Sequence, residues 1–212
     1  LGLPMALQFS ITASGAMVMQ AAINLFGSVA VAAFTAASKL QNLVMQGMIA
    51  MGQTMATYSG QNFGKGDLAR IRKGVRASLS ASAVYAVAVA LLVWILLKPC
   101  LGLFFTADVN MSVMMPWAET YIHICAIFYI PLSTIFVFRN TMQGCGYGFL
   151  PMMGGVSELA ARMIVAFIAM STVSYPMACF CDPAAWIAAG LFTGISYIFV
   201  SKDIAKKLAP AS

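Results

Sequence analysis

Long uncharged stretches dominate the chain and are separated by short polar breaks. No charged residue occurs in 1–38, in 40–64 or in 77–97. A helix needs about 20 predominantly apolar residues to cross the hydrocarbon core of a bilayer. Lipid offers the backbone no hydrogen-bond partners, so a spanning segment forms a helix or joins a closed barrel. Barrel strands alternate over about 10 residues, whereas these stretches are continuously apolar. The pattern therefore predicts an all-α polytopic membrane protein.

The polar breaks divide the chain into six predicted transmembrane helices. Asn24, Gly27 and Ser28 mark the first turn, and Pro99 follows the end of the third helix. Pro131 falls inside the fourth helix and predicts a kink, which neighbouring helices can accommodate in lipid. The six helices are predicted at about 3–26, 29–58, 77–97, 117–138, 150–172 and 184–200.

The composition supports a membrane protein rather than a soluble one. Hydrophobic residues make up 61% of the chain, against roughly 45–50% in ordinary soluble domains, and the mean hydropathy is +0.88. Only 8% of the residues are charged. Their placement therefore carries information about how the chain sits in the membrane.

Positive charge is concentrated on one side of the six-helix arrangement. The chain start, the 59–76 loop, the 139–149 connection and the C-terminal tail share that side and hold nine of the 12 Lys and Arg residues. The opposite connections hold Lys98, Asp108 and Asp182. Loops rich in Lys and Arg face the cytoplasm, so we expect a multi-pass protein of the cell membrane with the 59–76 loop and the C-terminus cytoplasmic.

The densest basic segment is GQNFGKGDLARIRKGVR, residues 60–76, which holds five Lys and Arg residues. A nucleic-acid site would need a basic soluble domain with interleaved aromatic residues, and this chain contains none. We therefore expect no nucleic-acid partner. Contact with anionic lipid headgroups remains open for this segment.

The residues needed for catalysis or metal binding are scarce. His123 is the only histidine, and Glu119 lies one turn before it near Trp117 and Tyr121. We interpret this group as an anchor at the outer membrane boundary rather than a proton relay. The chain is therefore not expected to be an enzyme or to bind a metal or cofactor.

Polar residues form a stripe along the second predicted helix. They recur at steps of three and four, with Ile49 filling one position, so they share one helix face: Thr35, Lys39, Asn42, Gln46, Gln53 and Thr57. The first helix adds two pairs at four-residue spacing, Gln8 with Thr12 and Gln20 with Asn24. A polar stripe in lipid faces protein or a water-filled cavity. We favour a substrate cavity, because the stripe is long and Lys39 is costly to bury. Hydrogen bonding between packed helices is the alternative.

Two further features concern packing. Glu158 and Arg162 lie four residues apart, the favourable arrangement for an ion pair on one helix, and we predict a structural pair rather than a transport site. Gly60 and Gly64 form a small-xxx-small pattern that permits close helix approach.

Several segments together are similar to one transporter family. LGLPMALQFS, INLFGSVAVAAFTAASKL, GQNFGKGDLARIRKGVR, FRNTMQGCGYGFLP and ELAARM occur in that order over nearly the whole chain. In order and spacing they resemble the second half of a multidrug and toxic compound extrusion (MATE) transporter. The resemblance implies one six-helix lobe, residues 1–212, of a twelve-helix protein whose lobes rock around a central cavity. It also implies an N-terminal lobe as partner, which these 212 residues do not include.

The resemblance implies a function as well. Members of the family export organic cations or other toxic compounds in exchange for sodium ions or protons, and the first two helices of this lobe line the cavity. Several branches carry an acid eight positions after the proline of Gly-Leu-Pro, where this chain has Thr12, and others have an aspartate near Leu132, where it has none. The coupling ion would therefore be bound mainly by the other lobe.

Other functions remain possible at this point. A lipid-linked oligosaccharide or polysaccharide flippase of the same superfamily would require a more cationic cavity than Lys39 alone supplies. A membrane-embedded enzyme would require clustered acids or further histidines, and a non-transporting assembly subunit would not require a polar stripe.

Overall fold

A computed structural model describes residues 2–102 and 111–208, and these residues are helical almost throughout. The all-α prediction is confirmed. Eight helices follow one another along the described chain: α1 Gly2–Asn24, α2 Gly27–Gly64, α3 Leu68–Gly102, α4 Met111–Ile127, α5 Tyr129–Gly144, α6 Phe149–Thr172, α7 Tyr175–Cys179 and α8 Cys181–Leu208.

Among the described helices, four are long and apolar enough to cross a membrane: α1, α3, α6 and the stretch Tyr175–Lys207 that contains α7 and α8. The bent pair α4 and α5 would form a fifth span. Helix α2 has 38 residues and a length of about 57 Å, well beyond the roughly 30 Å of a hydrocarbon core. Its stripe of polar residues lowers its hydropathy below that of the other long helices.

The predicted fourth span is two helices rather than one. Helices α4 and α5 meet at Phe128 and are bent by 55°. Pro131 has no backbone N–H, so the carbonyl of Ile127 has no partner four residues ahead. The predicted kink is present at this point, and the break is sharp enough to end one helix and begin another.

The predicted 59–76 loop is wrong in extent, because most of it is helical. Helix α2 continues to Gly64 and α3 begins at Leu68, so residues 65–67 alone connect them. Gly66 takes the positive φ that this tight turn requires, +75°. The Asp67 carboxylate accepts a hydrogen bond from the backbone N–H of Arg70 at 2.8 Å, which caps the start of α3.

The helices pack in two groups. Helix α1 lies on α6, which lies on α8, while α2 packs against α3, α4 and α5; the contact of α5 with α8 joins the groups. The backbones of α2 and α5 approach closely, so that a Cβ added at Gly144 would overlap the carbonyl of Ala56. Gly60 takes part in this approach, because a Cβ added there would lie 3.1 Å from the carbonyl oxygen of Gly144, whereas Gly64 lies in open space.

Candidate functional site

The polar stripe of α2 lies on the open side of the lobe. Every one of its members is exposed: Thr35, Lys39, Asn42, Gln46, Gln53 and Thr57. The opposite face of α2 is buried and carries Ala33, Ala37, Leu40, Val44 and Met48. The stripe is therefore directed away from the packing contacts of this lobe.

A cavity of about 360 Å³ opens beside the stripe, between α1 and α2. Of the predicted cavity residues, Thr12, Gln20 and Asn42 line it. The remaining walls come from α4, α6 and α8 as well as α1 and α2, and they combine aromatic, thioether and ionised side chains: Ala16, Met19, Phe34, Ser38, Gln41, Met45, Tyr121, Glu158, Arg162, Asp182 and Trp186.

Buried ion pairs form the polar wall of this cavity. Arg162 Nη2 lies 3.3 Å from Glu158 Oε1 and 2.9 Å from Asp182 Oδ1. Glu158 Oε2 also contacts Arg139 Nη2 at 3.2 Å, and the Tyr121 hydroxyl donates to Asp182 Oδ2 at 2.8 Å. Two cations and two anions therefore neutralise one another across α5, α6 and α8, which is the condition for burying charge.

Three members of this network correct sequence-based expectations. The sequence places Arg139 in a cytoplasmic connection, but it is 8% exposed because α5 continues to Gly144. It places Asp182 in an outer connection and Tyr121 in a boundary anchor, but the two side chains bond to each other beside Arg162. The sequence does contain a signal, because each arginine within an apolar segment needs an acid and the chain has only six.

Several buried donors around the cavity have no hydrogen-bond partner among the described residues. They are Ser38 Oγ, Gln41 Nε2, and Nε and Nη1 of Arg162. Arg162 Nη1 lies against Gly15, where a Cβ would overlap it. Buried donors are costly unless they are paired. The cavity is therefore bordered by polar groups whose hydrogen-bonding capacity the described residues leave unused.

The other predicted cavity residues lie elsewhere on α1 and α2. Gln8 is buried, and its Oε1 accepts a hydrogen bond from Gln143 Nε2 at 3.0 Å, which ties α1 to α5. Asn24 lies outside the cavity, and its Oδ1 accepts a hydrogen bond at 2.9 Å from Nε2 of the cavity residue Gln20 on the same helix. The Thr35 hydroxyl donates to the carbonyl of Val31 at 2.8 Å.

Within the described residues, no group of three or more His, Cys, Asp and Glu side chains is arranged to hold a metal ion. His123 stacks on Trp94, with ring centroids 4.4 Å apart. The site is thus built from hydrogen-bond donors, ion pairs and apolar surface.

Comparison with known proteins identifies a family. A family model described as MatE matches residues 4–168. A curated relative, "Probable multidrug resistance protein YpnP" of Bacillus subtilis (strain 168), is 23% identical over 204 residues, which are 95% of this chain and 42% of the relative. The chain therefore spans less than half the length of the curated relative that it matches.

Solved structures share the fold at low identity. A MOP superfamily transporter from Pyrococcus furiosus, described as having a binding pocket of reversed polarity that suggests a different function, superimposes with a TM-score of 0.87 at 14% identity. The match covers 97% of this chain and 46% of that protein. An outward-facing multidrug resistance MATE family transporter superimposes with a TM-score of 0.84 at 13% identity, and the match covers 97% of this chain and 46% of that protein. An inward-facing multidrug resistance MATE family transporter superimposes with a TM-score of 0.82 at 13% identity, and the match covers 100% of this chain and 48% of that protein. These matches show that the chain shares the fold of one half of these proteins.

Proposed function

Since this chain belongs to the MatE family of multidrug transporters, we propose that it forms the C-terminal six-helix lobe of a secondary exporter. The transported compounds are drugs or toxic organic molecules, including organic cations, and export is driven by exchange for sodium ions or protons. The partner is an N-terminal lobe of the same transporter, and α2 is the span that completes the six.

The observation that carries this proposal is the exposed polar face of α2 next to the cavity. A helix that only packs would bury its polar residues in contacts, yet these point away from the lobe. Polar residues at membrane depth face protein or water. An aqueous cavity between two lobes satisfies this requirement for the whole length of the stripe.

The cavity chemistry suits varied organic molecules. Phe34, Met45 and Trp186 offer apolar surface, while Gln41 and Arg162 offer donors. Ligand sites of this kind are mostly apolar with a few placed polar groups, and methionine side chains adapt to different shapes. Lys39 adds one positive charge on the exposed face and has no carboxylate partner among the described ion pairs.

The mechanism we propose is rocking of two lobes around a fixed midplane site. The similar TM-scores against outward-facing and inward-facing transporters, 0.84 and 0.82, support a lobe that moves largely as one body. The energy of coupling must come from the ion site. We place that site in the partner lobe, because α1 carries Thr12 where an acid would be expected and Glu158 is held by two arginines.

Orientation is part of the proposal. The α2–α3 turn and the C-terminus would face the cytoplasm, because Lys65, Arg70, Arg72, Lys73, Arg76, Lys202, Lys206 and Lys207 lie there. The burial of Arg139 reduces the number of Lys and Arg residues on this side from nine to eight. This side still carries more basic residues than the opposite one, so the proposed orientation is unchanged.

The test replaces Asn42 and Gln46 by leucine in the complete transporter. If these residues line the cavity, drug resistance falls while the amount of protein in the membrane stays normal. If they form hydrogen bonds between packed helices, the amount of folded protein falls instead. Each such hydrogen bond stabilises the folded protein by about 0.6 kcal/mol on average, so this decrease is modest. Ser80→Leu, at an exposed position of α3, is the matched control and should change neither quantity. Unchanged resistance in both stripe variants would contradict the proposal.

A further inference from the structure

A second cavity of about 680 Å³ runs along the outer surface of the lobe between α3, α5 and α8. We call it the outer groove. Its apolar walls are formed by Val75, Leu79, Phe138, Leu191, Ile195 and Ile198. Leu191 is 64% exposed, and Ile195 and Ile198 are each 55% exposed. The groove therefore presents a large apolar surface to whatever surrounds the lobe.

Two glycines on α8 give the groove its depth. Gly190 and Gly194 lie one turn apart and face α5, where a Cβ added at Gly194 would lie 3.7 Å from the Phe138 ring. That spacing is ordinary van der Waals contact. With no side chain at either position, the backbone of α8 itself lines the outer groove beside Phe138.

Positive charge closes one end of the outer groove. Arg72, Arg76 and Lys202 line it there, and Arg72 Nε donates to Ser201 Oγ at 3.1 Å, which links α3 to α8. None of these three cations has a carboxylate partner among the described ion pairs. Asp203, the acid that follows Lys202, is paired with Lys207 instead.

The distance between the two ends matches a lipid. Gly190 and Lys202 are twelve residues apart on α8, a rise of about 18 Å. One leaflet is about 15 Å deep, half of a hydrocarbon core of about 30 Å. The charged end therefore lies at headgroup level when the apolar end lies near the bilayer centre.

We propose that the outer groove is a binding site for one anionic phospholipid. Its acyl chains lie along Gly190, Gly194 and Ile198, and its phosphate group pairs with Arg72, Arg76 and Lys202. A basic pocket between transmembrane helices at the cytoplasmic side is suited to such headgroups. Charge complementarity selects an anionic lipid over a zwitterionic one, and the bound lipid joins α3 to α8 where few side chains do. This site is separate from the cavity proposed for transport.

The test measures lipid retention and thermal stability of the complete protein purified in mild detergent. Native mass spectrometry counts bound phosphatidylglycerol and phosphatidylcholine, and the midpoint of thermal unfolding is followed as each lipid is added. We expect a preference of at least about tenfold for phosphatidylglycerol, since each basic residue near the surface contributes roughly a fivefold factor. We also expect the midpoint to rise with phosphatidylglycerol only.

Three variants separate the groove from general surface charge. Arg72→Gln, Arg76→Gln and Lys202→Gln together should abolish the preference, whereas Lys65→Gln, Lys73→Gln and Lys206→Gln, which remove equal charge outside the groove, should preserve it. Gly194→Leu fills the groove without changing charge and should also abolish retention. The proposal would be overturned if both triple variants lost the phosphatidylglycerol preference equally, or if Gly194→Leu retained bound lipid fully. If the groove triple fails to fold, two single variants replace it. Lys202→Gln should weaken the preference for phosphatidylglycerol, and Gly194→Leu should abolish lipid retention; an unchanged preference together with full retention would overturn the proposal.

Discussion

Glu158 shapes the electrostatics of the lobe interior, because its two carboxylate oxygens contact two different arginines. Arg162 keeps a second partner in Asp182, whereas Arg139 has Glu158 as its only carboxylate within the described ion pairs. Glu158 is therefore suited to a structural role, in which it ties α5 to α6 through Arg139.

Replacing Glu158 by glutamine should destabilise the protein without abolishing coupling. Arg139 would become a buried cation without an anion, and breaking a buried pair in this way costs about 3–5 kcal/mol. The thermal unfolding midpoint and membrane abundance should fall. Glu119→Gln, at a half-buried position of α4 that forms no ion pair within the described residues, should leave both unchanged.

The same variant also tests where the coupling ion binds. Proton- or sodium-driven efflux, measured in vesicles with equal amounts of protein, should persist in Glu158→Gln. Normal stability together with efflux lost at the coupling step would show that the ion site lies in this lobe.

At the scale of helices, the contact of α2 with α5 depends on backbone touching backbone. The Gly144→Ala variant would place a methyl group onto the carbonyl of Ala56, and no flexible side chain is there to move aside. Overpacking of this kind costs about 1–3 kcal/mol, so the unfolding midpoint should drop. Gly64→Ala, for which no atom lies within 4 Å of the added Cβ, is the control. Equal unfolding midpoints for Gly144→Ala and Gly64→Ala would contradict this account, because they would show that α2 and α5 can move apart without loss of stability.

A structural feature can be predicted from the sequence when residues within one segment determine it. It cannot be predicted when contacts between distant segments determine it. The uncharged stretches predict the helices, and Pro131 predicts the bend, because both effects act within one segment. The sequence misses the extent of α2 and α3, because Gly66 and Asp67 confine the turn to three residues although the segment is strongly polar.

The candidate site is only partly predictable for the same reason. Polar spacing on α2 predicts a shared face without any knowledge of the partner helices. The network of Arg139, Glu158, Arg162 and Asp182 joins three helices, and spacing along one helix reveals only the pair within α6. Contacts between distant segments require the packing itself.

At the scale of the whole molecule, the topology predicts opposite sides for successive turns. Lys65→Cys, in the exposed α2–α3 turn, should react with a membrane-impermeant thiol reagent only from the cytoplasmic side. Leu25→Cys, in the α1–α2 turn at a position that is 55% exposed, should react only from outside. Labelling of both turns from one side would contradict the arrangement of six spans.

The central claim is that the exposed face of α2 borders a water-filled path for the substrate. Asn42→Cys provides the most direct test, in a complete transporter from which the five cysteines of this lobe and all cysteines of the partner lobe have been removed. A small water-soluble thiol reagent should modify Asn42→Cys, block export, and react more slowly when a transported compound is present. Ser80→Cys, at an exposed position of α3 that we expect to face lipid, should stay unmodified. An Asn42→Cys protein as unreactive as Ser80→Cys, or one that reacts at the same rate with and without the compound, would contradict the account.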